Sequence, residues 1–134
     1  MASRSFRVAL LALAVAASGC GPRHGTPRPV EYAIIVFANE SLNQADVYAV
    51  GTAGDRVRLG SVFGGHTDSL RLDLHTISGS GTLTVYARVL ATGRAPSSGQ
   101  VLLHPGDFLR VTMPSSETVL NALVDRPVPA DSTD

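Results

Sequence analysis

From residue 31 onward the chain alternates between apolar and polar positions in short runs separated by Gly, Pro, Ser and Asn. YAIIVFAN (32–39) is aromatic and β-branched, and apolar on both faces, as expected of a strand at the centre of a sheet. ADVYAV (45–50) follows, then GTAGD (51–55), whose glycines mark a turn. DRVRLGSV (55–62) alternates, with Val57 and Leu59 on one face and Arg56 and Arg58 on the other. In TDSLRLDLHT (67–76), Leu70, Leu72 and Leu74 share a face, while Arg71, Asp73 and His75 share the opposite one. That is a period of two, not 3.6.

ISGSG (77–81) reads as a loop, and TLTVYARVL (82–90) sets Leu83, Val85, Ala87 and Val89 against Thr84, Tyr86 and Arg88. RAPSSG (94–99) interrupts the pattern before a short strand at QVLLH (100–104). Pro105-Gly106 suits the two middle positions of a type II turn, because Pro presets φ and Gly accepts a positive one. DFLRVTM (107–113) is a further strand ended by Pro114, and SSETVLNAL (115–123) fits either a short helix or an eighth strand. The spacing predicts a small seven- to eight-stranded antiparallel β-sandwich, immunoglobulin- or transthyretin-like. No helical period of ten or more residues occurs beyond the N-terminus, which excludes α/β nucleotide-binding folds.

The N-terminus follows a different rule. Arg4 and Arg7 precede an unbroken apolar run of ten residues, Val8–Ala17, too short for a helical membrane span. A basic start, a short apolar centre and small residues at its end form the pattern of an export signal. The run closes on Ala17-Ser18-Gly19-Cys20, containing the one cysteine of the 134-residue chain. This stretch resembles the lipobox of bacterial lipoproteins, with Ala17 at the position that is usually leucine. The resemblance implies cleavage before Cys20, a covalent lipid on its thiol, and anchoring to a membrane of the bacterial cell envelope. Gly rather than Asp at position 21 implies the outer membrane where there are two. The expected organisation is a signal peptide (1–19), lipidated Cys20 with a flexible tether (20–30), a β-sandwich domain (31–125) and a loose tail (126–134).

Processing changes the charge. Nine arginines then face eleven acids, a net charge of about −2, and there is no lysine. Nucleic-acid binding calls for a basic surplus or stripe, so nucleic acid is not an expected partner. An acylated Cys20 leaves no free thiol, so neither a disulfide nor a thiolate nucleophile is expected.

Candidate chemistry is sparse. His66 and Asp68 lie two apart, with His75 and His104 elsewhere, a spacing that specifies no metal site. No Gly-x-Ser-x-Gly elbow exposes a nucleophile. Asp46, Asp55, Asp68 and Asp73 could flank a glycosidic bond only across a cleft that short loops do not supply. Gly64-Gly65 and Gly79-Ser80-Gly81 open no helix, so they read as turns and not as phosphate cradles. No metal or other cofactor is expected, and the protein is not expected to be an enzyme.

Surface residues are better candidates. Arg56, Arg58 and Arg71 fall on outward positions, interleaved with Asp55 and Asp73, and suit cross-strand ion pairs or a partner's anionic groups. Tyr48 and Tyr86 lie among polar neighbours and suit either a contact site or the sealing of the sandwich edge. Arg56, Arg58, Arg71 and Tyr86 are therefore the expected partner surface. RVRLGSVFGGHTDSLRL and LHPGDFLRVTMP are similar to segments of small bacterial envelope lipoproteins of all-β type, through Val36–Asn39, Val47-Tyr48, Arg58-Leu59-Gly60, Gly64 or Gly65, Leu70 and Pro105-Gly106-Asp107. That resemblance supplies no catalytic residues, and GGHTD (64–68) departs from it. The expected function is a non-catalytic module docking on an envelope protein or glycan. The alternative is a small-ligand or glycan carrier, or a minor hydrolase, with a pocket formed by loops 39–45, 63–68 and 91–99.

Overall fold

The computed structural model describes residue 29 and residues 31–127. The expected signal segment, Cys20, the expected tether apart from Pro29, and the expected tail beyond 127 lie outside the described residues. Eight strands form: β1 (Tyr32–Asn39), β2 (Ala45–Gly51), β3 (Arg56–Val62), β4 (Thr67–Asp73), β5 (Thr82–Val89), β6 (Ser97–Leu102), β7 (Phe108–Met113) and β8 (Asn121–Asp125). They make two four-stranded sheets, β4-β1-β7-β8 and β3-β2-β5-β6. The all-β sandwich follows from the alternation, because each strand has one apolar face to bury and two such faces close one core.

From β1 the inner face takes Ala33, Ile35 and Phe37, from β2 Ala45, Val47 and Ala49, and from β5 Leu83, Val85, Ala87 and Val89. Leu109, Val111 and Met113 of β7 complete its centre, and all thirteen of these are at most 1% exposed. As expected, β1 is a central strand, flanked on both sides.

The structure corrects several expectations. The sheets are not wholly antiparallel: β1 pairs parallel with β7, from Ile34 opposite Phe108 to Asn39 opposite Met113. Of the two readings of 115–123, the eighth strand holds and the helix does not: a turn closes with Glu117 N–H donating to Pro114 O at 3.0 Å, and β8 starts at Asn121. β6 begins at Ser97, inside the segment read as a break, and ends at Leu102. Leu74–Thr76 leaves β4 as a single 3-10 turn, with Asp73 accepting from the His75 N–H. The type II turn is present: Gly106 has φ 85° and the Asp107 N–H donates to His104 O at 3.0 Å. Asp107 closes it from the side, its Oδ2 accepting from the His104 N–H at 2.8 Å and lying 3.5 Å from Arg126 Nε.

Two bulges break the sheet β3-β2-β5-β6. Val47 lies opposite Gly60 but Tyr48 lies opposite Arg58, so Leu59 is an extra residue in β3. Simple alternation would put Val62 outside with Arg56 and Arg58; the bulge shifts the phase, burying Val62 and turning Ser61 toward Asp46. The second bulge places Thr84 opposite Gln100 and Tyr86 opposite Ser97, with Gly99 at φ 73° in the lengthened β6. There the Ser98 hydroxyl accepts from the Val85 N–H at 3.1 Å.

Phe37 is fully buried and among the largest core side chains. Phe37→Ala is expected to lower the unfolding free energy by about 3–5 kcal/mol, measured by urea titration. A loss below about 1 kcal/mol would mean that this side of the core is not tightly packed.

Candidate functional site

The outer face of β3-β2-β5-β6 gathers the residues with the most chemistry. Tyr48 of β2 lies directly opposite Tyr86 of β5, and their rings stack with centroids 4.9 Å apart and planes 8° from parallel. Neither tyrosine is fully covered, because each occupies the outward position between buried neighbours, Val47 and Ala49 on β2 and Val85 and Ala87 on β5. Arg56 reaches across from β3, donating from Nη1 to Tyr86 Oη at 2.8 Å, with its guanidinium carbon 5.5 Å from the centroid of the Tyr48 ring. The negative ring face and the phenol oxygen thus both hold one cation.

A second cluster adjoins this pair. Arg58 Nη2 lies 3.0 Å from Asp46 Oδ1 and 2.7 Å from Ser61 Oγ, and the Ser61 hydroxyl also bonds to Asp46 Oδ1. The Ser61 hydrogen bond, together with the bond and charge of Arg58, holds the Asp46 carboxyl below its ordinary pKa. The hydrogen bond to Asp46 in turn raises Arg58 above the usual guanidinium value. The β3 bulge is what allows this arrangement, since Arg58 and Ser61 are three apart and would otherwise lie on opposite faces.

Arg88 is opposite Asp46 in register, exposed, and forms no ion pair among the described residues; neither does Arg56. Tyr48, Arg56, Tyr86 and Arg88, with the small residues Gly93 and Ala95, line an open groove of about 360 Å³. Its wall is thus two phenol rings and two guanidinium groups without carboxylate partners.

Of the expected surface, Arg56, Arg58 and Tyr86 come together, but Arg71 does not. Arg71 is on β4, in the other sheet, with its guanidinium carbon 4.0 Å from the centroid of the Tyr32 ring. Sequence adjacency of β3 and β4 suggested one surface, whereas the chain crosses between sheets at residues 63–66. Nor do Asp55 and Asp73 pair with these arginines. Asp55 Oδ2 accepts from the Ser78 N–H at 2.6 Å and Asp73 caps the 3-10 turn, so both carboxylates serve the backbone. Among the histidines, His66 Nδ1 is 3.0 Å from Gly64 O and His104 Nδ1 is 3.4 Å from Asp107 Oδ2.

The loops expected to frame a pocket converge but close on one another. The side chain of Asn39, 2% exposed, donates to Asn43 O at 2.8 Å and Val62 O at 3.1 Å, and accepts from the Ser41 N–H. Glu117 is buried beside it, accepting from Asn43 Nδ2 at 2.9 Å and Thr92 Oγ1 at 3.1 Å. Glu117 is also the non-glycine residue with a left-handed φ, 53°, a conformation costing on the order of 1–2 kcal/mol. One carboxylate therefore ties together three loops. Sequence reading missed it, because Ser116-Glu117 resembles a helix start, and missed Arg88 because strand register is needed to place it beside Tyr86.

The hydrogen bond from Asn43, with those of Thr92 and Ser41 and the charge of Arg94, holds the Glu117 carboxyl below its ordinary pKa. A lowered folded-state pKa contributes stability that is complete above the unfolded value, about 4.3, and is lost as pH falls through the folded one. Glu117→Gln is therefore expected to be less stable than the wild type at pH 7 and to differ from it less at pH 3. Urea midpoints across that range check this; a difference independent of pH would remove the charge from the argument.

No family model matches the chain, and no curated protein matches it. Among solved structures it is similar to one described as the NMR structure of the protein from Eubacterium rectale, with 10% identity and a TM-score of 0.48, covering 82% of this chain and 100% of that one.

Proposed function

We propose that this protein is a lipid-anchored, non-catalytic module of the bacterial cell envelope that docks on another envelope component through the Tyr48–Tyr86 face. The observation that carries this reading is the stacked tyrosine pair with Arg56 bonded across it, on an open sheet face between two bulges. Bulges are over-represented at sheet edges and next to active sites, where they re-aim side chains. The donors here are phenol and guanidinium groups arranged for holding a partner, not for moving a proton.

The anchor rests on the likeness of Ala17-Ser18-Gly19-Cys20 to a lipobox and on the short apolar run before it. In this reading Cys20 carries diacylglycerol, and the outer membrane is the destination where there are two. The described chain enters at Glu31 and leaves after Asp125 at one end of the sandwich, since Tyr32, Asp73 and Asp125 lie at matching ends of their strands. An eleven-residue tether from 20 to 30 would let the domain stand at most about 40 Å from the membrane. The architecture is best described as transthyretin-like. A four-plus-four division with parallel β1 and β7 supports that description over the four-plus-three immunoglobulin constant arrangement.

Photo-crosslinking residues placed at Arg58, Tyr86 and Arg71 test the docking face in cells. Positions 58 and 86 are expected to yield a shared adduct in the membrane extract, and position 71, on the opposite sheet, none. An adduct at 71 alone would overturn the choice of face. For the anchor, Cys20→Ser is expected to abolish labelling by radioactive palmitate and release the protein from membranes. Retained label would remove Cys20 as the lipid site.

A further inference from the structure

We infer that the groove between Tyr86 and Ala95 binds an acidic saccharide, one whose rings carry carboxylates. This rests on the reading of the same face as the docking surface and adds the chemistry of what is docked. The first support is charge. Outward on this face stand Arg56, Arg58 and Arg88 against one carboxylate, Asp46. Asp46 is ion-paired with Arg58 and hydrogen-bonded by Ser61, and Arg88 acts on it only through space, which leaves Arg56 and Arg88 without an ion pair among the described residues, and both line the groove. A guanidinium without a carboxylate partner presents a planar fork that matches a carboxylate in two parallel hydrogen bonds.

The remaining charge also sets the kind of anion. Two guanidinium groups, one on β3 and one on β5, suit two separate single negative charges. A uronate supplies single charges spaced by sugar rings.

The second support is shape. About 360 Å³ lies at the small end of ligand sites and has room for a short run of sugar rings. The walls are phenol rings and guanidinium groups, with Gly93 and Ala95 leaving one flank low. The phenol groups at its rim address sugar hydroxyls, and the two guanidinium groups address the carboxylates.

Calorimetric titration of the full acylated chain in detergent micelles with trigalacturonate, and with its neutral methyl ester, tests the inference. Saturable binding of the acid, with the ester at least about tenfold weaker, is expected. Arg56→Gln and Arg88→Gln should each weaken the acid at least about tenfold, while Arg110→Gln, on the other sheet, should leave it unchanged. Equal binding of acid and ester, or binding indifferent to both groove arginines, would overturn the inference. No binding, together with a protein adduct at positions 58 and 86, would overturn the saccharide and leave the docking face standing. No binding and no adduct at those positions would overturn both.

Discussion

The sandwich depends on β1 having a partner on each side. β1 pairs antiparallel with β4 through seven residue pairs and parallel with β7 through six. β7 is far along the chain, so this ladder closes the longest loop and carries the entropic cost that the rest of the fold must offset. What offsets it is the inward face of the same two strands: Ala33, Ile35, Phe37, Leu109, Val111 and Met113, all fully buried. Pairing and burial are thus one event, since a register slip of one residue would send this entire row to water.

Alternation made much of this legible from residues alone. Period two along 55–59, 67–72 and 82–89 marked strands, because a half-buried strand has to write its burial into every second position, while 32–39 was marked by a short β-branched run apolar on both faces. The turn at Pro105-Gly106 was legible for a similar reason: its backbone angles admit few residues. What alternation could not convey was pairing. Tyr48 meets Tyr86, and Arg56 joins them, only because β2 lies between β3 and β5. Arg71 seemed equivalent to Arg58, but the chain changes sheets between them. The parallel β1–β7 ladder was illegible for the same reason, since a strand's own pattern does not encode the direction of its neighbour.

The bulges mark where pattern and structure part. Val57 and Leu59 predict that Ser61 faces inward and Val62 outward; the bulge at Leu59 reverses both. Hydrophobic burial explains half of that reversal, because it returns Val62 to the core. The other half is polar, because it delivers Ser61 to Asp46 beside Arg58. An alternating pattern has no letter for a phase shift. The neighbouring Gly60 is consistent with a bend, but glycine in a strand is also explained by close packing against Leu70.

The two ends of the proposed docking face are held differently, and this bears on how it would bind. Near Arg88, the loop 90–95 is fastened from beneath by Glu117 through Thr92, and Arg94 Nη1 donates to Ser116 O at 2.8 Å. Glu117 accepts a left-handed backbone to make those bonds, so the network must return more than that conformation costs. Fixing this loop fixes Gly93 and Ala95, the low flank of the groove, without placing any large side chain in it. On the other side, Arg56 is held by a phenol and a ring face, both uncharged, and so keeps its charge available to a ligand. Had a carboxylate held it, as Asp46 holds Arg58, an anion would have had to displace that carboxylate before binding. A rigid flank and an oriented but unneutralised cation together reduce the ordering cost of binding, which is the physical basis of a preorganised site.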